Sequence, residues 1–179
     1  MKTKHYILTF FILFSGLTLS QNAGFGKTSI SSSFSPVQIE AYQESADKKI
    51  EDFYSYLNLL SDKSISQKTK VEIRENIFLL FEDQQTEVID LVSDEHKKIS
   101  LLDFLAKTKD QNIKFRIIQT ESIPVVIVDY WISEYSVEIT LNGEKSVKEI
   151  SQKVYFSPVY KKFGKNSKEV WEMKLGEIE

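Results

Sequence analysis

Residues 135–156 read YSVEITLNGEKSVKEISQKVYF and carry the clearest structural signal in the chain. From Tyr135 to Leu141, apolar and polar residues alternate, as they do in a strand with one buried face. Asn142-Gly143 follows, the dipeptide that is favoured in the two-residue turn of a β-hairpin. We therefore predict an antiparallel hairpin with a return strand over Lys145–Phe156.

Further strands are predicted on both sides of this hairpin. Ile113–Thr120 and Val125–Ser133 are rich in β-branched and aromatic residues, and Pro124 between them favours a sheet edge or a bulge. After a loop that contains Pro158, the segment Glu169–Leu175 (EVWEMKL) is predicted to form the last strand. The second half of the chain is thus expected to be an antiparallel meander.

The first half of the chain shows the spacing of amphipathic helices instead. Ser35-Pro36 is a helix start, a capping hydroxyl followed by a proline in the first turn, where its missing N–H is not needed. A long helix follows, and Ser66 is predicted to cap a second one. EVIDLV (87–92) favours a short strand, and ISLLDFLAKT (99–108) a short third helix. This order predicts a single α+β domain over residues 37–179, with helices packed on a curved antiparallel sheet.

The N-terminal residues 1–20 have the parts of a secretory signal: two lysines, an apolar stretch from Tyr6 to Leu19, and the small residue Ser20. The apolar stretch is about fourteen residues long, while a membrane-spanning helix needs roughly twenty. We therefore predict cleavage after Ser20, no stable membrane span afterwards, and export to the periplasm or the medium; an uncleaved anchor is the alternative. Serine, glycine and threonine dominate residues 21–36, which are expected to form a flexible leader.

The composition excludes several kinds of chemistry. The chain has no cysteine, which rules out disulfides, thiolate metal sites, a cysteine nucleophile and a lipid-modified cysteine. Without Lys2 and Lys4, 21 basic residues face 26 acidic ones, a net charge of about −5. Such a balance gives no general attraction to nucleic acid or anionic lipid. We expect no nucleic-acid partner and no cofactor.

Four stretches look like functional motifs, but each has a simpler interpretation. GFGKTS (24–29) lacks the glycine of a phosphate-binding loop, because Gln21 stands in its place. His96 lies among charged residues of a predicted turn and lacks a second histidine, so we predict no metal site. Lys145–Lys153 and Lys161–Lys168 are interleaved with glutamates, and we interpret these lysines as protection of sheet edges against aggregation.

The order of elements resembles the nuclear transport factor 2-like superfamily, which includes SnoaL-like and ketosteroid isomerase-like proteins. The cues are Phe53–Leu60 near the end of a long first helix, EVIDLV leading into ISLLDFLAKT, and the closing strand VWEMKLGEI (170–178). The resemblance covers about residues 37–179 and implies a cone that encloses a pocket open at its wide end. Members of this superfamily use the pocket for catalysis, ligand binding or assembly, so the fold alone does not fix the activity.

The resemblance directs attention to an acid and several aromatic residues. An isomerase of this type needs a general base and an oxyanion donor in the pocket, commonly a carboxylate and a tyrosine. Asp129 is the candidate base, and strand alternation puts it on the same side as Trp131. The alternative is that this side faces outward and that Asp129 is a solvated charge at the sheet edge. The candidate donors are Tyr54, Tyr130 and Tyr155. The candidate ligand-binding residues are Tyr54, Tyr130, Trp131 and Tyr155, which strands and helices also favour for ordinary packing.

Three functions are open on these grounds. The first is an exported, non-enzymatic domain that binds a small molecule or an envelope protein. The second is a pocket enzyme of the SnoaL-like or isomerase type with Asp129 as general base. The third is a structural or secretion-associated subunit that self-associates, for example as a homodimer.

Overall fold

In the computed structural model, residues 29–93, 97–123 and 129–179 are described. Their helices and strands are α1 (Ile30–Ser33), α2 (Pro36–Ser61), α3 (Gln67–Leu80), β1 (Glu87–Ile89), β2 (Lys98–Ser100), α4 (Leu101–Thr108), β3 (Lys114–Ile123), β4 (Tyr130–Leu141), β5 (Glu144–Phe163) and β6 (Asn166–Ile178). The chain is therefore α+β, as predicted. The predicted signal peptide, residues 21–28 of the predicted leader, His96 and Pro124 lie outside the described residues.

The six strands form a single sheet in the order β2-β1-β6-β5-β4-β3. Neighbouring strands are antiparallel except β1 and β6, which run parallel where Val88 pairs with Ile178. The last strand in chain order, β6, thus lies in the middle of the sheet. None of the described helices is both long and apolar enough to cross a membrane.

The long helix α2 begins where the sequence predicts. The Ser35 hydroxyl accepts a hydrogen bond from the Gln38 N–H, while the Gln38 side chain accepts one from the Ser35 N–H at 2.9 Å. This capping box satisfies two backbone donors at the helix start. The buried residues of α2 recur at threes and fours and form one face of the core: Ala46, Ile50, Phe53, Tyr54, Leu57 and Leu60.

The hairpin that the sequence predicts most strongly is present. Asn142 has a φ of 54° and Gly143 a φ of 88°, so both central residues of the turn are left-handed, as a type I′ turn requires. Leu141 pairs with Glu144 directly across this turn. The incoming strand β4 runs unbroken from Tyr130, whereas the sequence predicts two separate strand segments there.

The loop predicted around Pro158 is wrong, because β5 is 20 residues long and continues through this proline. The Phe156 N–H donates to the Asp129 carbonyl at 2.8 Å, and strand alternation turns the Pro158 nitrogen to the same side. The Pro158 nitrogen therefore points away from β6, so its missing N–H interrupts no bond between β5 and β6. The pairing of Pro158 with Trp171 in β6 is kept.

The folded domain begins before the predicted boundary at residue 37. Ile30, in the short helix α1, has no exposed surface and belongs to the core. The Phe34 ring lies 5.1 Å from the Tyr42 ring, 5.4 Å from Phe156 and 4.9 Å from Trp171, measured between centroids. The last residues of the predicted flexible leader are thus packed over α2 and the sheet.

Candidate functional site

The inner face of β4 is lined by every second residue of the strand. Trp131, Ser133 and Tyr135 are buried, with Val137 and Ile139 following at the same spacing. This alternation is the ordinary consequence of a pleated strand with one face on the core. The helix α2 packs against this face, since Tyr54 reaches the Tyr135 hydroxyl.

A chain of hydrogen bonds crosses this interior. The hydroxyls of Tyr54 and Tyr135 lie 3.2 Å apart, and Tyr135 donates to the Gln152 side-chain oxygen at 2.7 Å. Gln152 in turn donates to the Gly176 carbonyl at 3.4 Å. Because the Tyr135 hydroxyl donates its single proton to Gln152, Tyr54 must be the donor in the hydrogen bond between the two tyrosines. The chain is therefore directional, and it joins α2 to three strands of the sheet.

The two tyrosines in this chain of hydrogen bonds, Tyr54 and Tyr135, remain protonated. Burial raises the pKa of Tyr54, although its hydrogen bond to Tyr135 acts in the opposite direction. Burial also raises the pKa of Tyr135 well above its ordinary value, with Tyr54 adding to the effect. A tyrosine with a raised pKa keeps its proton at ordinary pH. Both hydroxyls therefore serve as hydrogen-bond donors in the interior.

Three buried side-chain atoms of the described residues have no hydrogen-bond partner: Gln43 Nε2, Trp131 Nε1 and Ser133 Oγ. All three can donate a proton. Gln43 is 8% exposed, while Trp131 and Ser133 have no exposed surface. A buried polar group without a partner costs about 1–3 kcal/mol, so three of them in one domain need an explanation. We call Gln43, Trp131 and Ser133 the inner donor set.

Packing contacts relate the members of the inner donor set. Trp131 and Ser133 are neighbours on one face of β4 because they are two residues apart. The Trp131 ring lies 5.8 Å from Phe156, and the Phe156 ring lies 4.5 Å from Tyr42. Gln43 directly follows Tyr42 in α2, and its amide nitrogen is buried. Trp131 and Ser133 therefore share the inner face of β4, and Tyr42, the neighbour of Gln43 in α2, packs on Phe156, which contacts Trp131.

The four predicted ligand-binding residues lie on two different faces. Tyr54 and Trp131 are in the interior. Tyr130 and Tyr155 pair directly across β4 and β5 on the other face, with ring centroids 5.8 Å apart. The Lys153 ammonium lies 5.6 Å from the centre of the Tyr130 ring. The structure thus brings these residues together in two pairs, and the four do not line one pocket.

Tyr155 packs over a bulge in the neighbouring strand. The register between β5 and β6 shifts between Gln152 and Val154, so that β6 holds one extra residue near Gly176. A Cβ atom added to Gly176 would lie 2.5 Å from the Tyr155 ring, so only glycine leaves room for that ring. The Tyr155 hydroxyl donates to the Glu177 carboxylate at 2.9 Å. Burial and then this carboxylate raise the pKa of Tyr155.

A groove of about 430 Å³ opens beside Tyr155 on this outer face. Its lining is acidic and consists of Glu82, Asp83, Gln85, Thr86, Glu87, Tyr155 and Glu177. Among the residues that the structure describes, no group of three or more histidine, aspartate or glutamate side chains is arranged to hold a metal ion.

Of the donors predicted for an isomerase, Tyr130 and Tyr155 lie on the face toward which the candidate base Asp129 acts, whereas Tyr54 lies in the interior. Asp129 is half-buried and precedes β4, where its carbonyl accepts the Phe156 N–H. Its charge contributes to raising the pKa of Tyr155, after burial, Glu177 and Glu82, so it acts toward the outer face. The Tyr54 hydroxyl is hydrogen-bonded to Tyr135 in the interior.

Gln43, Ser133, Tyr135 and Gln152 were not predicted from the sequence as functional candidates. A signal was available for two of them. Ser133 stands between Trp131 and Tyr135 at an inward position, and Gln152 takes the same place between Ile150 and Val154. A polar residue in the buried register of an alternating strand is the exception that calls for a partner. For Gln43, helical spacing alone does not separate a buried position from an exposed one at the edge of the apolar face.

Comparison of the sequence with protein-family models gave no match, and comparison with curated proteins gave none either. A function for this chain has to be inferred from the residues of its own interior and surface.

Proposed function

We propose that this chain is an exported, non-enzymatic binding domain of the nuclear transport factor 2-like type that holds a small uncharged molecule between α2 and the sheet. The observation that carries the proposal is the inner donor set, three buried donors that protein atoms leave unpaired. A ligand that accepts hydrogen bonds from them would remove the cost of their burial. The helix α2 lying against the inner face of an antiparallel sheet supports the cone-like arrangement.

The chemistry of the ligand follows from these atoms. An amide N–H, an indole N–H and a hydroxyl all bind to oxygen acceptors such as carbonyl, ether or hydroxyl groups. The charged residues buried in the described part of the chain are Lys70 and Asp90, and each is paired elsewhere, with Asp110 and Lys107 respectively. A neutral molecule therefore fits the inner donor set better than an ion does. The aromatic rings of Trp131 and Phe156 provide an apolar wall beside these donors.

A non-enzymatic role fits the fixed hydrogen bonds next to this region. Tyr54, Tyr135 and Gln152 form a chain that ends on the Gly176 carbonyl. Each tyrosine proton already has a protein acceptor, and the pKa of both tyrosines is raised. Such a chain holds α2 and three strands in a fixed geometry, as a preformed binding site requires.

The proposal is tested by thermal unfolding of the wild type and Ser133→Ala with a panel of neutral sugars, nucleosides and lactones. A ligand at a hundred times its dissociation constant stabilises the wild type by about 2.7 kcal/mol. Ser133→Ala removes an unpaired hydroxyl, so without ligand it should be as stable as the wild type or more so. Its response to the active compound should be smaller, because one donor is missing.

Ser136→Ala is the matched control. Ser136 lies on the same strand, but its hydroxyl donates to Glu149 at 2.8 Å on the outer face. This variant should respond to the ligand as the wild type does. If no neutral acceptor shifts the melting temperature, or if Ser136→Ala loses the response and Ser133→Ala keeps it, the interior site is contradicted.

A further inference from the structure

The hairpin of β5 and β6 continues past the described part of β4. Among the described residues, β4 and β5 pair as far as Tyr155, whereas β5 and β6 stay paired to Phe163 and Asn166. Eight further residues of β5 correspond to roughly 26 Å of strand. The residues from 160 to 169 are all exposed. We call residues 157–170 the hairpin arm.

The hairpin arm is basic on a chain that is acidic as a whole. It contains Lys161, Lys162, Lys165 and Lys168 against the single acid Glu169, while the chain carries a net charge of −3. The opposite end of β5 provides an internal comparison. There Glu144 and Glu149 balance Lys145 and Lys148 around the Asn142-Gly143 turn. Protection of sheet edges accounts for the balanced hairpin, but it requires no excess of one sign.

The lysines of the hairpin arm lie on both of its faces and at its turn, and are not confined to one side. Strand alternation puts Lys162 on the opposite face from Lys161, and Lys165 lies in the turn. Lys161 and Lys168 pair directly across the two strands, and Lys161 also lies 3.4 Å from the Glu172 carboxylate. Positive charge on both faces and at the turn of the exposed tip indicates an anionic partner met end-on.

Two aromatic side chains accompany this charge. Tyr160 is 68% exposed and Phe163 is 56% exposed, the latter immediately before the turn residue Gly164. Tyr160 lies on the face of Lys162, and Phe163 on the face of Lys161. Aromatic rings beside lysines at a tip suit the boundary between lipid headgroups and acyl chains, where rings enter and ammonium groups stay at the phosphates.

We propose that the hairpin arm docks end-on to the surface of an anionic lipid bilayer, with Phe163 entering the headgroup region. A plane of diffuse negative charge is complementary to lysines on both faces and at the turn. An acidic groove of a protein would instead match lysines on one face. Each lysine near an anionic surface strengthens binding about fivefold. This inference does not depend on the interior ligand site.

The test is co-sedimentation of the exported, processed protein with vesicles of phosphatidylcholine, alone or with about one third phosphatidylglycerol. All variants carry the same N-terminus, so differences between them report the hairpin arm. The wild type should bind the anionic vesicles at least tenfold more tightly, and salt that shortens the Debye length to about 3 Å should remove this preference. The triple variant Lys162→Glu, Lys165→Glu, Lys168→Glu should lose at least a hundredfold.

Two further variants separate the bilayer from other anionic partners. Phe163→Ser leaves the charge unchanged and should weaken vesicle binding about tenfold, because it removes the inserting ring. Lys145→Glu with Lys148→Glu, at the opposite hairpin, should bind as the wild type does. Equal binding to both kinds of vesicle, or equal loss in this control, would overturn the proposal. So would tight binding to polyglutamate or single-stranded DNA with no effect of Phe163→Ser, which would indicate a general polyanion.

Discussion

Tyr135 occupies the middle of the buried chain of hydrogen bonds, accepting from Tyr54 and donating to Gln152. Its replacement by phenylalanine leaves two buried groups without a hydrogen-bond partner, the Tyr54 hydroxyl and the Gln152 side-chain oxygen. We expect Tyr135→Phe to lower the free energy of unfolding by about 2–3 kcal/mol, because an orphaned buried group loses its water without gaining a bond. Urea unfolding followed by circular dichroism measures this change.

Tyr54→Phe is the comparison that tests the direction of the chain. It removes the first donor but leaves the bond from Tyr135 to Gln152 in place. The expected loss is about 1 kcal/mol, clearly smaller than that of Tyr135→Phe. If Tyr54→Phe proves the more costly of the two, the hydrogen bonds do not run from Tyr54 toward Gly176.

For single residues, the sequence predicted which residues of a strand share a face, but not which of the two faces is buried. It separated Tyr130 from Trp131 by strand alternation, and the structure places them on opposite faces as expected. The sequence also grouped Tyr155 with Tyr54. Both are aromatic residues with a polar hydroxyl, and the residues next to them in sequence do not indicate which face of the sheet they occupy. The inner face is set by where α2 lies, which is a long-range property that the residues of β4 and β5 do not encode alone.

The turn after β1 is tied to α4 through the carboxylate of Asp90. This group accepts bonds from the Val92 N–H at 3.0 Å and the Ser93 hydroxyl at 2.8 Å, and it is paired with Lys107 in α4. Burial acts to raise the pKa of Asp90, but the bonds from Lys107, Ser93 and Val92 outweigh it and hold the pKa below its ordinary value of 3.8. The ionised form is therefore favoured by folding.

Stability should depend on pH through this group. Because the pKa of folded Asp90 is lowered, its contribution is complete above the unfolded pKa of about 4 and is lost as the pH falls through the folded value. We expect Asp90→Asn to cost about 1–2 kcal/mol at neutral pH and to flatten the fall in stability below about pH 4. Urea unfolding across this pH range measures both effects.

Glu72→Gln on the exposed surface of α3 is the matched control for Asp90→Asn. It should leave the stability within about 0.5 kcal/mol and the acid dependence as in the wild type. An unchanged slope of stability against pH in Asp90→Asn would show that this carboxylate does not fasten the turn to α4.

Local signals predicted the elements that depend on neighbouring residues. The Asn142-Gly143 turn needs two left-handed residues, and its dipeptide supplies them. The continuation of β5 through Pro158 depends instead on its pairing with β6 across the sheet. The three-residue strand β2 was missed for a similar reason, since Lys98–Ser100 has no pattern of its own and is defined by pairing with β1.

For the molecule as a whole, α1 closes one end of the core. Ile30 is fully buried, and Phe34 contacts both α2 and the strands. Ile30→Ala should lower the free energy of unfolding by about 2–4 kcal/mol, the cost of a cavity in a packed core. It should also shift the fluorescence of Trp171 toward that of a more exposed indole, because Phe34 loosens with α1.

Val37→Ala is the control for Ile30→Ala, since Val37 is close in sequence but 75% exposed. Its effect on stability should stay within about 0.5 kcal/mol. Equal stability of Ile30→Ala and the wild type would mean that the domain does not need α1. The sequence placed this segment in a flexible leader because one helical turn is too short to show a period, and its packing is decided by Tyr42, Phe156 and Trp171.

The position of β6 in the sheet also bears on how the chain reaches its folded state. β6 is made after all the other strands, yet it joins the β1–β2 pair to the block of β5, β4 and β3. A nascent chain that lacks residues 166–178 can form local hairpins but has no strand to unite them. The sheet cannot be completed from the N-terminal side onward, so an emerging chain stays open until β6 has been synthesised.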